Sequence, residues 1–392
     1  MRLQQLTLKN WMNFRELQRV EFGDVSYVIG PNAVGKSNLL DALRFLRDVA
    51  LPAARKPGSG GLQEAVVRRG GLSKIRCLNA RRDTEIRIEV TLEDKEDGQW
   101  GYSLGFKGEG KGNNRIVVSH ESVALNGRPI CSPRPDRDDE GDRELLTRTR
   151  LETPRDNKDF REIAHFLGDI TYLHLVPQLL RYSDEIGGRT LQRDPFGQGF
   201  LQRIAETQPR TRDSRLRRIA SSLGKVLTQF VEIRFVKDEV SGQPHLEANF
   251  RHWRERGAWQ RESQLSDGTL RLIGLLWSLL EGDSFLLLEE PELSLNEEIV
   301  RHLPKVIRTV LETAKAESRQ VVLTTHSEAL LSDSSIGRDS VIRLKAAKNG
   351  TQLDPATAEE KVMLESGFPV GTALLPSTRP KDAGQMLLEL AR

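Results

Sequence analysis

Residues 25–46 read VSYVIGPNAVGKSNLLDALRFL, and this stretch decides the fold. The apolar run from Val25 to Ile29 predicts a buried strand, and leucines at helical spacing after Lys36 predict a helix. Residues 30–37 between them match the pattern Gly-x-x-x-x-Gly-Lys-Ser without deviation. The alternative, a chance glycine-rich turn, is disfavoured because the loop has the strand before it and the helix after it that a phosphate-binding loop requires.

This loop has the chemistry of a nucleotide phosphate site. Successive backbone N–H groups at a helix N-terminus form an anion site, and the glycines let the backbone approach phosphate. Lys36 is expected to reach the β- and γ-phosphates, and the Ser37 hydroxyl to bind Mg²⁺. The residues predicted to bind ATP are Gly30, Pro31, Asn32, Ala33, Val34, Gly35, Lys36, Ser37 and Asn38.

A second segment predicts the catalytic carboxylates. Residues 285–292 read FLLLEEPE, and a buried strand that ends in paired acids is typical of a Walker B element. Glu289 is expected to hold Mg²⁺ through its water shell, and Glu290 to polarise the attacking water. Solvated acids are common at strand ends, so this assignment depends on the phosphate loop upstream.

Three further segments resemble motifs of one family. LSDGTLR (265–271) looks like the signature of ABC-type ATPases, residues 291–296 resemble the D-loop, and His326 resembles the H-loop histidine. The opening LKNWMNFRELQRVEF (8–22), followed by the phosphate loop, is similar to the heads of SMC and RecF-type proteins. The form EEPELSLN (289–296) resembles more narrowly the RecF-like ATPases of the OLD (overcoming lysogenization defect) group and their anti-phage relatives.

The resemblance implies an α/β fold, namely an ABC-type (RecF/SMC-like) P-loop ATPase head with an antiparallel β lobe and a helical insertion. It implies that Ser266 and Gly268 contact the γ-phosphate of ATP held by a second head, and that His326 senses that phosphate beside the catalytic Glu290. An ordinary helix cap is the alternative for Ser266, since serine favours that position.

The resemblance also has two departures. The family's Walker B usually begins with Asp, where this chain has Glu289. OLD proteins proper carry a C-terminal Toprim nuclease domain, and nothing like it follows His326 here, so any nuclease is expected to be a separate chain. A Q-loop is harder to place: Gln63 is a candidate, although it lies close to Lys36 in the sequence.

The remaining sequence predicts three regions. Residues 1–145 form an N-terminal ATPase lobe with antiparallel strands over 84–130, residues 146–260 a mainly helical insertion ending in a hairpin, and residues 261–392 a C-terminal ATPase lobe. The charged segment SPRPDRDDEGDR (132–143) predicts an exposed loop.

Two basic stretches are candidates for nucleic-acid contact. Residues 181–225 hold ten basic and five acidic side chains, and the interspersed acids favour a solvated surface. Residues 251–261, RHWRERGAWQR, combine arginines with Trp253 and Trp259, which fits either base stacking or a core tryptophan. The net charge of +3 is too small to indicate nucleic acid by itself.

Composition limits the class of protein. With 37% hydrophobic and 29% charged residues, the chain is too apolar for wholesale disorder and too polar for a membrane protein. Its longest apolar run, Leu272 to Leu280, is far shorter than a membrane span. The start lacks the apolar core of a signal peptide, and the two cysteines have no metal-ligand spacing. We therefore expect a cytoplasmic protein that does not contact membranes.

These observations predict an ATPase with ATP and Mg²⁺ as its ligands. It is expected to form a homo-oligomer, at least a head-to-head dimer, and to control a separate effector encoded nearby, a nuclease or toxin, in anti-phage defence. Stand-alone ATPase subunits of systems such as PARIS or Septu resemble this arrangement. The alternatives are a repair or recombination ATPase that clamps DNA as RecF does, and an ATP-bound scaffold with little turnover. Sustained heptads, the mark of a coiled-coil arm, do not occur between residues 150 and 260.

Overall fold

The computed structural model describes residues 1–52, 60–80, 82–110, 113–182, 196–252, 258–282, 284–313 and 319–379. The elements before residue 170 are β1 (Arg2–Trp11), β2 (Phe14–Glu21), β3 (Val25–Ile29), α1 (Lys36–Ala50), α2 (Leu62–Val67), α3 (Leu72–Ile75), β4 (Ile86–Asp94), β5 (Gly98–Gly110), β6 (Asn113–Leu125), β7 (Arg128–Pro129), α4 (Arg137–Gly141) and α5 (Arg161–Gly168). The later elements are β8 (Thr171–Leu173), α6 (Pro177–Arg181), α7 (Phe200–Glu206), α8 (Pro209–Val226), β9 (Phe230–Lys237), β10 (Pro244–Phe250), β11 (Ala258–Arg261), α9 (Asp267–Leu280), β12 (Leu286–Glu289), α10 (Glu297–Thr313), β13 (Val321–Thr324), β14 (Val341–Ala347), β15 (Gly350–Leu353), α11 (Ala358–Glu365) and α12 (Val370–Leu374).

Contacts divide these elements into two compact units. Unit 1 comprises residues 1–170, 284–287 and 318–392, and unit 2 comprises residues 171–283 and 288–317. The chain thus leaves unit 1 and returns to it twice. The three regions predicted from the sequence stay a hypothesis about domain organisation, since they follow the chain and not this grouping.

The first sheet of unit 1 is antiparallel, with the strand order β2-β1-β4-β5-β6-β7. Its strands alternate: Ile86, Ile88, Val90 and Leu92 of β4 are all buried, and the residues between them are not. Asn126, with a φ of 51°, opens the turn between β6 and β7 as its Asn-Gly pair predicts. The antiparallel strands predicted for residues 84–130 are confirmed.

A cluster of buried acids lies against this sheet. Glu152 accepts hydrogen bonds from the backbone N–H groups of Leu62 (2.6 Å) and Thr149 (3.2 Å). Glu121 accepts one from the Tyr102 hydroxyl at 3.0 Å. Burial raises the pKa of Glu152 to about 7, and the nearby Glu121 carboxylate contributes in the same direction. The native fold therefore holds a proton here at pH values where the unfolded chain has released it.

This cluster predicts a pH dependence of stability. Because the pKa of Glu152 is higher in the folded state, its contribution is fully present below pH 4.5 and is lost as the pH rises to about 7. Over that window the free energy of unfolding should fall by ~3 kcal/mol, at about 1.4 kcal/mol per pKa unit. Urea denaturation at pH 5 and pH 8 measures this fall, which should be smaller by that amount in Glu152→Gln. Equal falls in the two proteins would contradict the assignment.

The charged segment 132–143 differs from its prediction. It contains α4, whose first turn is capped by the Asp136 side chain, an acceptor for the N–H groups of Asp138 (3.0 Å) and Asp139 (3.1 Å). Asp139 is 2% exposed and pairs with Arg134, itself 7% exposed. Most of the segment is exposed, as predicted, but residues 137–141 form a helix and not a loop, and Arg134 and Asp139 are buried as an ion pair.

The second sheet positions the phosphate loop. Strand β3 lies between β13 and β14 and runs parallel to both, with Val25 opposite Val321 and Val28 opposite Ile342. Strand β15 pairs antiparallel with β14, and β12 follows β13 in the strand order. Strands β3 and β13 are buried along nearly their whole length, as expected for central parallel strands. The loop after β3 thus begins at the carboxyl edge of a buried sheet.

An ion pair fixes the C-terminal helices of unit 1 on this sheet. Arg343 on β14 is 4% exposed and donates two 2.7 Å hydrogen bonds to the Glu360 carboxylate of α11. These hydrogen bonds lower the pKa of Glu360. A bidentate arginine–carboxylate pair fixes orientation as well as distance, so α11 is held in a defined place.

Unit 2 is built around the apolar helix α9. Every residue of α9 from Leu270 to Leu279 is buried, and Trp277 packs edge to face on Phe200 of α7 with ring centroids 6.4 Å apart. A separate antiparallel sheet has the order β11-β10-β9 and is contacted by α8. Among the described residues, no helix has both the length and the apolar character needed to cross a membrane.

Candidate functional site

The backbone of the phosphate loop has the shape of an anion site. Gly30, Ala33 and Gly35 all have positive φ values, of 152°, 60° and 104°. A Cβ on Gly35 would lie 2.0 Å from the Asn13 side chain, so this position requires glycine. Helix α1 begins directly after it at Lys36, and the loop therefore brings successive backbone N–H groups to a helix N-terminus.

The lysine of the loop is folded back onto the loop itself. Lys36 is 7% exposed, and its Nζ donates to the carbonyl oxygens of Gly30 and Pro31, each at 3.1 Å. Asn32, Ala33 and Ser37 are exposed. The loop thus combines a buried cation with an exposed hydroxyl at the start of α1, a donor set suited to phosphate and to a hard metal ion.

The predicted ligand Asn38 lies behind the loop. Its side-chain amide donates to the Asn13 Oδ1 at 2.8 Å, and its carbonyl accepts from the Trp11 Nε1 at 2.9 Å. Both partners belong to β1 or the turn that follows it. Asn38 therefore connects α1 to β1 and to the turn that follows it.

His326 lies at the same edge of the sheet as the phosphate loop. It follows β13, whose register with β3 extends through a hydrogen bond from the Thr325 N–H to the Val28 carbonyl at 3.2 Å. Because β3 and β13 are parallel, their carboxyl ends share one edge. His326 is exposed there, while Thr325 is fully buried.

The paired acids follow β12 in unit 2. Glu289 is the last residue of that strand, and its carboxylate accepts a short hydrogen bond from the Tyr172 hydroxyl on β8. Glu290 has a φ of 43°, which turns the chain sharply before Pro291. Tyr172 therefore orients the first acid, and the second lies in the turn that ends the strand.

The signature segment forms the N-terminus of α9. Ser266 caps the helix, with its Oγ 3.2 Å from the Thr269 N–H. A Cβ on Gly268 would lie 2.5 Å from the carbonyl oxygen of Ser294, so glycine allows the predicted D-loop to pack against the signature of the same unit. Arg181 of α6 holds the segment from the other side, through the Leu265 carbonyl and the Asp267 carboxylate, each at 2.6 Å.

A buried arginine of α9 accompanies these acids. Arg271 is 7% exposed and lines a small cavity with Glu289, Glu290 and Pro291. Burial lowers the pKa of its guanidinium, and the carboxylates of Asp267, Glu292 and Glu290 oppose that shift. A charged residue within an otherwise apolar helical run is the sequence signal that identifies this position.

The Q-loop candidate Gln63 makes internal contacts. Its Nε2 donates to the carbonyls of Ile116 and Thr147, each at 2.8 Å, and its Oε1 accepts from the Ile116 N–H at 3.3 Å. The side chain thus fastens α2 to β6. These contacts occupy both ends of its amide, which does not favour the Q-loop assignment.

The basic stretches are only partly described. Helix α8 exposes Arg210, Arg217, Arg218 and Lys225, as expected for a solvated face. The Trp259 ring is covered by the Arg234 guanidinium, 3.8 Å from its centroid. Trp253 and residues 183–195 lie outside the described residues.

The predicted site residues fall into two groups. The phosphate loop and His326 belong to unit 1, and the signature with Glu289 and Glu290 belongs to unit 2. The sequence did not reveal Tyr172, Arg181 or the contacts behind the loop, because no local pattern marks them. Among the described residues, no cluster of three or more His, Cys, Asp or Glu side chains could hold a metal ion by itself.

Comparison with known proteins identifies a family and two kinds of relative. The family described as "AAA domain, putative AbiEii toxin, Type IV TA system" matches residues 25–332. The DNA replication and repair protein RecF of Desulforamulus reducens is 40% identical over 45 residues, which make up 12% of this chain and 12% of that protein. The curated relative is therefore matched over only a small part of its length.

Solved structures of ATPase heads share the fold. An SMC head bound to the C-winged helix domain of ScpA has a TM-score of 0.57 at 14% identity, over 92% of this chain and 100% of that one. An SMC head with an extended coiled coil, bound to the C-terminal domain of ScpA derived from Pyrococcus furiosus, has a TM-score of 0.54 at 12% identity, over 93% of this chain and 98% of that one. The predicted ABC-type, SMC-like head fold is confirmed.

Proposed function

Because this chain belongs to the AAA family described above, we propose that it is an ATPase that assembles around ATP and controls a separate effector protein. The observation that carries the proposal is the backbone of residues 30–37. Its positive φ values and the buried Lys36 make a cradle for a triphosphate at the N-terminus of α1.

The proposed chemistry gives each residue one role. Lys36 would neutralise phosphate charge, and the Ser37 hydroxyl and the Glu289 carboxylate are the groups that would hold Mg²⁺. Mg²⁺ supplies charge neutralisation at the transferred phosphoryl group. Glu290 accepts a proton from the attacking water, and His326 responds to the γ-phosphate. Oxygen donors of this kind are those that Mg²⁺ prefers in proteins.

The signature supports the proposal of head-to-head assembly. Ser266 is exposed, and Gly268 lies in the first turn of α9, so a helix N-terminus with its positive dipole end is presented at the surface. Arg181 fixes this end of the helix through Asp267. The γ-phosphate of an ATP molecule bound by one chain would contact the signature of a second chain. The nucleotide would thereby hold the two chains together.

The effector part of the proposal is supported by the relatives. The SMC heads with this fold are solved bound to domains of another protein, ScpA. The family description names a toxin of a toxin–antitoxin system. We propose by analogy that the chain carries a partner, a nuclease or toxin encoded nearby, and that the pair acts in anti-phage defence in the manner of OLD-like, PARIS or Septu ATPases.

We expect the purified chain to hydrolyse ATP slowly and to leave plasmid DNA uncut in Mg²⁺ or Mn²⁺. Co-expression with the product of a neighbouring gene should give a stable complex, whose dissociation constant differs between ATP and ADP because the ligand shifts the population of closed heads. Gel filtration and a plasmid assay measure both results. Cleavage that persists through further purification, and is lost in Lys36→Ala, would refute the proposal that a separate chain is the nuclease.

A DNA-repair function is the second candidate. The RecF similarity and the exposed arginines of α8 are the observations that favour it. Binding to duplex DNA should then weaken steeply with salt, because phosphate contacts release counterions. Charge reversal at Arg217 and Arg218, which are exposed, would abolish binding in that case and leave ATP turnover unchanged.

A further inference from the structure

The carbonyl of Val34 in the phosphate loop is held by two side chains from distant parts of the sequence. The Asn13 Nδ2 donates to it at 2.5 Å, and the Thr351 Oγ1 donates to it at 2.6 Å. Thr351 lies on β15, 317 residues from Val34, and is 4% exposed. Val34 is 3% exposed, so its carbonyl needs donors within the protein, and these two side chains supply them.

These two donors are themselves fixed. The Asn13 Nδ2 also contacts the Thr351 Oγ1 at 2.5 Å, the Asn13 Oδ1 accepts from Asn38, and the Thr351 N–H donates to the Asn13 carbonyl at 2.9 Å. A Cβ on Gly350 would lie 2.5 Å from that same carbonyl, so the β14–β15 hairpin packs tightly on the β1–β2 turn. The hairpin and the turn therefore form one support beneath the loop.

The geometry of the peptide group gives this support a consequence. A trans peptide is planar, and its C=O and N–H point in opposite directions. With the Val34 carbonyl directed at Asn13 and Thr351, the Gly35 N–H is directed away from them. Gly35 is the residue before Lys36, where backbone N–H groups are needed for phosphate.

We propose that Asn13 and Thr351 are positioning residues, which hold the Val34–Gly35 peptide so that its N–H faces the nucleotide phosphates. The C-terminal hairpin β14–β15 then completes a site whose sequence pattern lies wholly within residues 30–37. This inference rests on the proposed ATP binding. Neither residue contacts the nucleotide; each acts through the Val34 carbonyl.

The test compares ATP affinity in variants of the full chain. Thr351→Val removes the hydroxyl and keeps the shape, and Asn13→Ala removes the other donor. The loss of one buried hydrogen bond changes an equilibrium constant by a few-fold. Each variant should therefore raise the dissociation constant for ATP roughly threefold. The double variant should raise it by more than the product of the two, about twentyfold or more, because the last donor on the Val34 carbonyl is gone.

Controls separate this idea from a loss of fold and from failure of the proposed function. Thr351→Ser retains the hydroxyl and should bind ATP as the parent does, while all variants should keep the parent's melting temperature without nucleotide to within a few degrees. A double variant that binds ATP within twofold of the parent would overturn the proposal, as would equal weakening by Thr351→Ser and Thr351→Val. If the double variant does not fold, the valine–serine comparison decides. Absence of ATP binding in the parent would instead refute the proposed function.

Discussion

Glu290→Gln should bind ATP as tightly as the parent and hydrolyse it roughly 10²–10⁴-fold more slowly, which is the usual cost of losing a positioned base. The amide has the shape of the carboxylate but cannot accept a proton from water. Glu290 is suited to this role because its positive φ turns it out of β12 directly before the buried Pro291. Phosphate release under excess ATP measures the rate, and equilibrium binding measures the affinity.

A matched control is available on the next helix. Glu298 is an exposed acid in the first turn of α10, and Glu298→Gln should hydrolyse ATP at the parent's rate. Parent-like turnover in Glu290→Gln would show that another group acts as the base. If the parent binds ATP but releases no phosphate above the background without protein, the chain is an ATP-bound scaffold.

The second large effect separates nucleotide binding from assembly. Lys36→Ala should weaken ATP binding roughly 10–100-fold, because phosphate loses a charge-assisted hydrogen-bond donor. Ser266→Arg should leave ATP binding by a single chain nearly unchanged and block pairing, since a long cation would occupy the exposed N-terminus of α9. Binding is measured by fluorescence and pairing by light scattering with ATP, both in the Glu290→Gln background.

Ser266→Ala is the matched control for the second substitution. Like Ser266→Arg it removes the hydroxyl that caps α9 at the Thr269 N–H, but it adds no long cation, so loss of the cap cannot explain a difference between the two variants. Equal loss of ATP binding in Lys36→Ala and Ser266→Arg would contradict a site shared by two chains. Pairing of chains that persists in Ser266→Arg would also contradict a site shared by two chains.

The sequence predicted the parts of the site that depend on local pattern. The phosphate loop, the strand before Glu289 and the signature helix each combine a periodic apolar run with a motif of fixed spacing, so their elements follow from neighbouring residues. The antiparallel strands could also be predicted, from the alternation of apolar and polar residues and from the Asn126 turn. The SMC-like fold followed from the resemblance of these motifs to those of SMC and RecF-type heads.

The contacts that the sequence did not reveal form only when the chain is folded. Arg134 and Asp139 appear in the sequence as solvated charges, and only the folded chain reveals their ion pair. Gln63 carries an amide suited to a nucleotide site, yet Ile116 binds it. Asn13 and Thr351 lie 338 residues apart, and nothing in either neighbourhood indicates that they meet.

The position of β3 has a consequence for synthesis on the ribosome. Both neighbours of this strand, β13 and β14, are made about three hundred residues after it. A nascent chain therefore carries the phosphate-loop sequence before β13 and β14 can pair with β3. The hydrogen bond from the Thr351 hydroxyl to the Val34 carbonyl also cannot yet form. Under the proposed ATP binding, nucleotide stabilises the growing polypeptide only after β13, β14 and β15 have been made, so it distinguishes chains that contain these strands from chains that stop before them.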